Sequence, residues 1–183
     1  MANKKISVNE KNAALDGIVF ENLFNELYVP LCRYCIQFIR IPEIAEEIVQ
    51  EQFVYIWEKR FDIHIHTSLK SYLYASVRNK SIDYLKSKFA RINFVNEQSS
   101  YELIETLNPL NIIEETELSS IMTIAIESLP EKCHIIFTMS RFGDLTNKQI
   151  AQELELSEKT IEAQITIAIK KIKSFVEKYY VLV

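Results

Sequence analysis

Apolar residues recur at three- and four-residue steps from Val19 onward, through Phe20, Leu23, Phe24, Leu27, Leu31, Cys35, Phe38 and Ile39. That period puts them on one face of a helix, and Pro30 within the run predicts a kink or a break between two short helices. Pro42 suits the first turn of a second helix, where Glu43, Glu46 and Glu47 complement the positive end of the dipole. Its inner face is Ile44 or Ala45, Ile48 or Val49, Phe53, Ile56 and Trp57, and its outer face carries Glu47, Gln50 and Glu51 at i, i+3 and i+4. FDIHIHTS alternates like a strand but is short and isolated, which predicts an ordered loop. Ser68 caps a third helix, from about Leu69 to Ser87, that buries Leu69, Leu73, Val77 and Leu85. From Phe89 to about Pro109 the chain is polar, acidic and weakly periodic, as a linker would be.

Helical periodicity resumes near Ile112 and runs through Ile121, Ile124 and Ala125 to Leu129, where Pro130 separates it from a helix built on Ile135, Ile136 and Met139. Gly143 is expected to end that helix in a left-handed cap. Thr146-Asn147-Lys148-Gln149 reads as a capping box opening a short helix that buries Ile150, Ala151 and Leu154. After Glu155-Leu156, Ser157 caps a longer helix with a stripe of Ile161, Ile165, Ala168, Ile169, Ile172 and Val176. Short helix, tight turn, longer helix is the pattern of a helix-turn-helix.

Gly17 and Gly143 are the only two glycines in 183 residues, and there are four prolines, too little turn chemistry for a many-stranded β protein. The expected fold is all-α, with two small helical domains at 19–88 and 112–183, a tail at 1–18 and an acidic linker at 89–111. The net charge of −4 hides an uneven distribution. Between Lys59 and Arg91 eight basic residues face Asp62 and Asp83, a local +6; between Ile92 and Glu131 there are eight glutamates and no lysine or arginine; from Lys132 onward eight basic residues face six acidic ones. No apolar run approaches the ~20 residues of a membrane span, and MANKKISVNE lacks the apolar core of a signal peptide, so a cytoplasmic protein is expected.

SLPEKCHIIFTMSRFGDLTNKQIAQELELSEKTIEAQITIAIKKIK closely resembles the fourth domain of extracytoplasmic-function sigma factors of the sigma-70 family, whose helix-turn-helix reads the −35 promoter element. AEEIVQEQFVYIWEKR followed by SLKSYLYASVRNKSIDYLKSK resembles the second sigma domain, which binds polymerase and the −10 element. A helix-turn-helix alone is weak evidence, since many repressors carry one; both segments in this order, joined by an acidic linker, are far more specific. "Leu-Pro-Glu-Lys-Cys" and "Glu-Ala-Gln-Ile" look most like the version common in Bacteroidetes.

The resemblance implies an alternative sigma factor that recruits core RNA polymerase to promoter DNA. Glu47, Gln50 and Glu51 fall where the family docks on the clamp helices of the largest polymerase subunit, with a further contact to the flap; periodicity alone reads them as a solvated face. For the −10 region it implies Lys70, Arg78, Lys80 and Lys86 against phosphates, and Phe61, His64 or His66 as a stacking face for an extruded base. In the recognition helix Lys159, Thr160, Ala163, Gln164, Ile167, Lys170 and Lys171 face away from the buried stripe. Gln164 suits an adenine edge, Ala163 a thymine methyl and the lysines phosphates or guanine, while Ile167 departs from the basic or polar residue expected there. The acidic linker resembles a segment that threads the polymerase channels, and it reads equally as a solvated tether. An anti-sigma partner that clamps the two domains is also implied.

Cys32-x-x-Cys35, His64-x-His66 and Cys133-His134 can be assembled on paper into a metal or redox site, but a lone CxxC lacks a second ligand pair at defined spacing, and Cys35 lies on the apolar stripe. No metal, cofactor or catalytic activity is expected, there being no glycine-rich phosphate loop, metalloprotease motif or nucleophile elbow. Two rivals remain: a DNA-binding regulator acting without polymerase, and a helical anti-sigma or scaffold protein that binds only proteins.

Overall fold

A computed structural model of the protein describes residues 16–62, 65, 68–98 and 117–181. The described residues form seven α-helices and no strand: α1 Gly17–Ile36, α2 Pro42–Glu58, α3 Leu69–Gln98, α4 Glu117–Glu127, α5 Glu131–Arg141, α6 Asn147–Leu154 and α7 Glu158–Val181. The all-α expectation holds. The chain divides into two compact units, Met1–Asp83 and Tyr84–Val183, the division falling inside α3.

In the first unit, Asp16 caps α1 by accepting the Val19 amide at 2.8 Å. Of the kink or break expected at Pro30, the break is not found: α1 continues through the proline as one helix. Leu27, Leu31 and Cys35 keep one buried face across it, and both Pro30 and Glu26, whose carbonyl loses its donor, lie on the exposed side. Val19, near which the periodicity begins, is exposed. Pro42 does begin α2, which buries Ala45, Ile48, Val49, Phe53 and Ile56 against α1. Ser68 accepts the Ser71 amide at 3.0 Å at the start of α3, as expected of a cap. Polar pairs fix α3 to its neighbours: buried Gln52 accepts from the Ser76 hydroxyl, and the Cys35 thiol meets the Ser81 hydroxyl at 3.3 Å.

α3 runs on to Gln98, so residues 89–98, read as the start of the linker, are helical. Phe89 is buried and Ile92 half-buried, continuing the stripe of Leu85 at four- and three-residue steps. The remainder of that linker and the expected helix start at Ile112 lie outside the described residues.

The second unit packs α4, α5 and α6 against α7. Ala125, Leu129, Cys133, Ala168 and Ile172 form its seam, with Phe137, Phe175 and Val176 packed on it. Ile124 and Ile169, both expected in the buried stripe, are 48% and 55% exposed. Each lies about 100° round its helix from an alanine of the seam, Ala125 or Ala168, and the small side chains hold the seam narrow.

Two turns correct the expected chemistry. Gly143 does not adopt the left-handed conformation; Asp144 does, at φ 50°. Gly143 is required for space instead, because a Cβ there would lie 2.5 Å from the Met139 carbonyl oxygen. At the end of α6 the left-handed residue is Glu155, at φ 55° and ψ 41°, and Leu156 donates its amide back to Ala151 at 2.9 Å. The capping box is present: Thr146 Oγ1 accepts the Gln149 amide and Gln149 Oε1 accepts the Thr146 amide at 2.9 Å.

Candidate nucleic-acid and partner interface

α2 turns its aromatic side towards α1 and leaves Glu47, Gln50 and Glu51 exposed on successive turns. Gln50 is anchored, its Nε2 donating to the Tyr28 hydroxyl at 3.0 Å. Tyr28 stacks on Phe24 at 4.8 Å between ring centres, Phe24 meets Phe53 edge-on at 4.9 Å, and Phe20 leans on Trp57 at 4.9 Å. Beside them Phe20, Phe24, Gln50, Phe53, Val54, Trp57 and Glu58 line an open hollow of about 470 Å³. This aromatic hollow next to the anionic face is the part that sequence reasoning missed. The exposed Val54 and Tyr55, off the buried stripe of α2, were the available signal.

Past Glu58 the chain turns through Lys59–Asp62, Asp62 donating its amide to the Lys59 carbonyl at 2.9 Å. Arg60 lies with its guanidinium carbon 4.0 Å from the centre of the Trp57 ring and 4.3 Å from that of Phe61, and Nη1 donates to the Trp57 carbonyl at 2.6 Å. Phe61 is largely exposed. His64 and His66 lie outside the described residues.

On α3, Lys70 and Lys80 are exposed and Arg78 is half-buried. At about 100° per residue, Lys80 and Arg78 flank opposite edges of the buried stripe of Leu73, Val77, Ser81 and Leu85. The basic side chains therefore border the core on both sides. In the second unit, Lys86 pairs with Glu153 at 2.8 Å and Lys88 with Glu131 at 2.9 Å. These pairs lower the field that Lys86 presents to a phosphate.

On α7, Ser157 accepts the Thr160 amide at 3.1 Å, the cap expected from the sequence. Lys159, Thr160, Ala163, Ile167, Lys170 and Lys171 are all exposed, and Gln164 is half-buried. Around the axis Lys159, Ala163 and Lys170 fall within about 40° of one another, opposite Ile161 and Ile172. Ile167, 41% exposed, extends the same open face. The Gln164 carbonyl accepts from the Cys133 thiol at 3.4 Å, joining α7 to α5 behind that face. α6 and α7, crossing at the Glu155 turn, thus present a helix whose outer surface is cationic at its edges and apolar at its centre.

The three thiols are free and buried. Burial pushes the Cys35 thiol up to about 11, against a smaller opposing effect of its Ser81 hydrogen bond, and burial also raises Cys32 and Cys133. Among the described residues no group of His, Cys, Asp and Glu is arranged to hold a metal ion, and no helix is long and apolar enough to cross a membrane.

Two family models match this arrangement, "Sigma-70 region 2" over residues 23–90 and "Sigma-70, region 4" over residues 122–172. The chain belongs to the sigma-70 family. A probable RNA polymerase sigma factor of Haemophilus influenzae is 25% identical over 67% of this chain and 72% of its own length. RNA polymerase sigma factor SigZ of Bacillus subtilis is 22% identical over 86% of both chains. The ECF RNA polymerase sigma-E factor of Escherichia coli K12 is 26% identical over 65% of this chain and 66% of that protein. Among solved structures, sigma factor RpoE in complex with the anti-sigma factor NepR from Bartonella quintana superposes with a TM-score of 0.47 and 14% identity, over 86% of this chain and 96% of that one. The function of the chain is that of an alternative sigma factor, which directs promoter-specific transcription by RNA polymerase.

Proposed function

We propose that the two units divide recognition between them, with sigma domain two over 19–88 docking polymerase and holding the −10 element, and sigma domain four over 112–183 reading the −35 element. The observation that carries this is the open face of α7, where Lys159, Ala163, Ile167 and Lys170 stand clear of the core on a capped helix that follows a tight turn. A major groove admits such a helix, its lysines meeting phosphates or guanine and its apolar centre meeting thymine methyls.

Glu47, Gln50 and Glu51 are the polymerase-docking set, facing the clamp helices of the largest subunit, with the flap as a second contact. An exposed anionic face suits a basic partner by steering encounter and fixing orientation. Lys70, Arg78, Lys80 and Lys86 are assigned to −10 phosphates, and Phe61 with His64 or His66 to an unpaired base. An anti-sigma factor that clamps the two domains together belongs to the same reading, as does a cytoplasmic location. The Leu-Pro-Glu-Lys-Cys and Glu-Ala-Gln-Ile segments support a Bacteroidetes-type member.

In vitro transcription from a genomic promoter library, with matching core polymerase and with or without this protein, tests the proposal. Discrete new starts sharing two motifs, roughly one and a half to two DNA turns apart, are expected, and charge reversal at Glu47 and Glu51 sharply reduces them at low salt. Sequence-specific binding by the chain alone, with no new starts, would replace this reading with that of a helix-turn-helix regulator.

A further inference from the structure

The assignments above give Arg60 no task, yet two aromatic rings and a backbone carbonyl hold it. Its guanidinium carbon lies 4.0 Å from the centre of the Trp57 ring and 4.3 Å from that of the Phe61 ring, and Nη1 donates to the Trp57 carbonyl. Trp57 in turn leans on Phe20 of α1. Four side chains, Phe20, Trp57, Arg60 and Phe61, therefore succeed one another from the packed helices out to the loop. The last of them is 68% exposed. An exposed phenylalanine alone samples several rotamers; a planar cation across one face restricts the ring and leaves its other face for a flat partner.

We propose that Arg60 is a positioning residue which holds Phe61 as a preformed stacking platform for an unpaired nucleobase of the promoter. This rests on the reading that the loop after α2 faces melted DNA. The partner is argued from chemistry: every base offers a flat π-face, and the rest of the first unit from Lys59 to Asp83 carries five basic residues against Asp62 and Asp83, a local +3 that draws in the strand's phosphates. Ordering the ring before the base arrives removes an entropic cost from the opening step. An Arg60 that served only as a lid on the α2 carbonyls would leave Phe61 mobile and have no bearing on the base.

The test uses the reconstituted holoenzyme on fork-junction duplexes built from a promoter found by start-site mapping, with 2-aminopurine stepped through the unpaired strand. At one position the wild-type protein should keep the probe quenched by stacking. Arg60→Lys keeps the charge but not the plane. It should brighten that probe and slow opening by about fivefold or more, the range for one aromatic–base stack. In a Phe61→Leu background, Arg60→Lys should have no further effect. Normal quenching and opening by Arg60→Lys, or effects that multiply in the double variant, would overturn the proposal. Should Arg60→Lys loosen α2, as judged by thermal unfolding, Phe61→Tyr and Phe61→Leu carry the test: Tyr retaining the quench and Leu losing it supports the platform, and equal quenching overturns it. A wild-type protein that yields no starts with core polymerase sinks the promoter reading itself, an outcome distinct from normal starts that ignore Arg60.

Discussion

The side-chain amide of Gln50 donates to the Tyr28 hydroxyl across 3.0 Å, so the middle residue of the anionic face on α2 is anchored to α1. Glu47 and Glu51, one turn before and one position after it, are exposed and extend from a fixed point. The three residues should therefore separate in experiment. Glu47→Lys with Glu51→Lys is expected to leave the unfolding midpoint unchanged, and to slow association with core polymerase by about tenfold at low salt, converging on wild type as salt rises. Gln50→Ala should cost about 0.5–1 kcal/mol of stability through the lost hydrogen bond. Stopped-flow anisotropy with labelled protein measures the first and urea unfolding the second. Association rates independent of the charge reversal would remove these glutamates from the interface.

Cys35 is buried and its thiol titrates at about 11, where an unburied thiol would titrate at 9.0. The folded state thus holds the proton more tightly than the unfolded chain. Stability from this site is full below pH 9 and is lost as pH rises through 11, by at most about 3 kcal/mol. Urea unfolding at pH 8 and pH 10.5 should show a steeper loss for wild type than for Cys35→Ala. Equal losses would mean that the thiol is solvated in the folded state.

The turns around α6 predict opposite responses to glycine chemistry. Gly143→Ala forces a Cβ against the Met139 carbonyl oxygen and should destabilise the second unit by about 1–3 kcal/mol. Glu155 carries a side chain in left-handed backbone, which costs about 1–2 kcal/mol. Part of that returns on Glu155→Gly, offset by the greater freedom of glycine in the unfolded chain, for a net gain of about 0.5–1 kcal/mol. Calorimetric midpoints that move together would contradict the backbone assignment.

The contrast between Gly143 and Glu155 shows how far a sequence can be read. Helix starts were legible because each carries its own signal in adjacent residues: Pro42, Ser68, the Thr146–Gln149 box and Ser157 all begin helices as expected. Helix ends and stripe edges depend on what packs behind them. Gly143 suggested a left-handed cap by residue type, but a near-collision with Met139 fixes its identity, and no local pattern reports that. Ile169 fitted the stripe by spacing, yet Ala168 and Ile172 already fill the seam. Charge ran the other way. Glu47, Gln50 and Glu51 were legible as an exposed face, whereas the Arg60 stack joins a basic residue, a tryptophan of the inner face of α2 and the stacking candidate Phe61, which no shared period connects.

Ala163 and Ile167 sit one turn apart on the open face of α7, bordered by Lys159 and Lys170. An apolar ridge between two cations discriminates by shape: the thymine C5-methyl is the one apolar group in the major groove, and a base without it leaves the ridge facing water. Replacing thymine by uracil in the −35 element, which deletes only that methyl, should weaken holoenzyme binding about threefold to fivefold at the contacted position, the value of one buried methyl group. The penalty should vanish in Ile167→Ala or in Ala163→Gly, according to which residue meets the methyl. Lys159→Gln and Lys170→Gln should weaken binding whatever base is present and reduce the slope of log affinity against log salt by about one each. Competition titrations on thymine and uracil duplexes at several salt concentrations separate the two effects. A uracil penalty that survives both apolar substitutions would place thymine recognition on another element, and an unchanged salt slope would move the lysines off the phosphates.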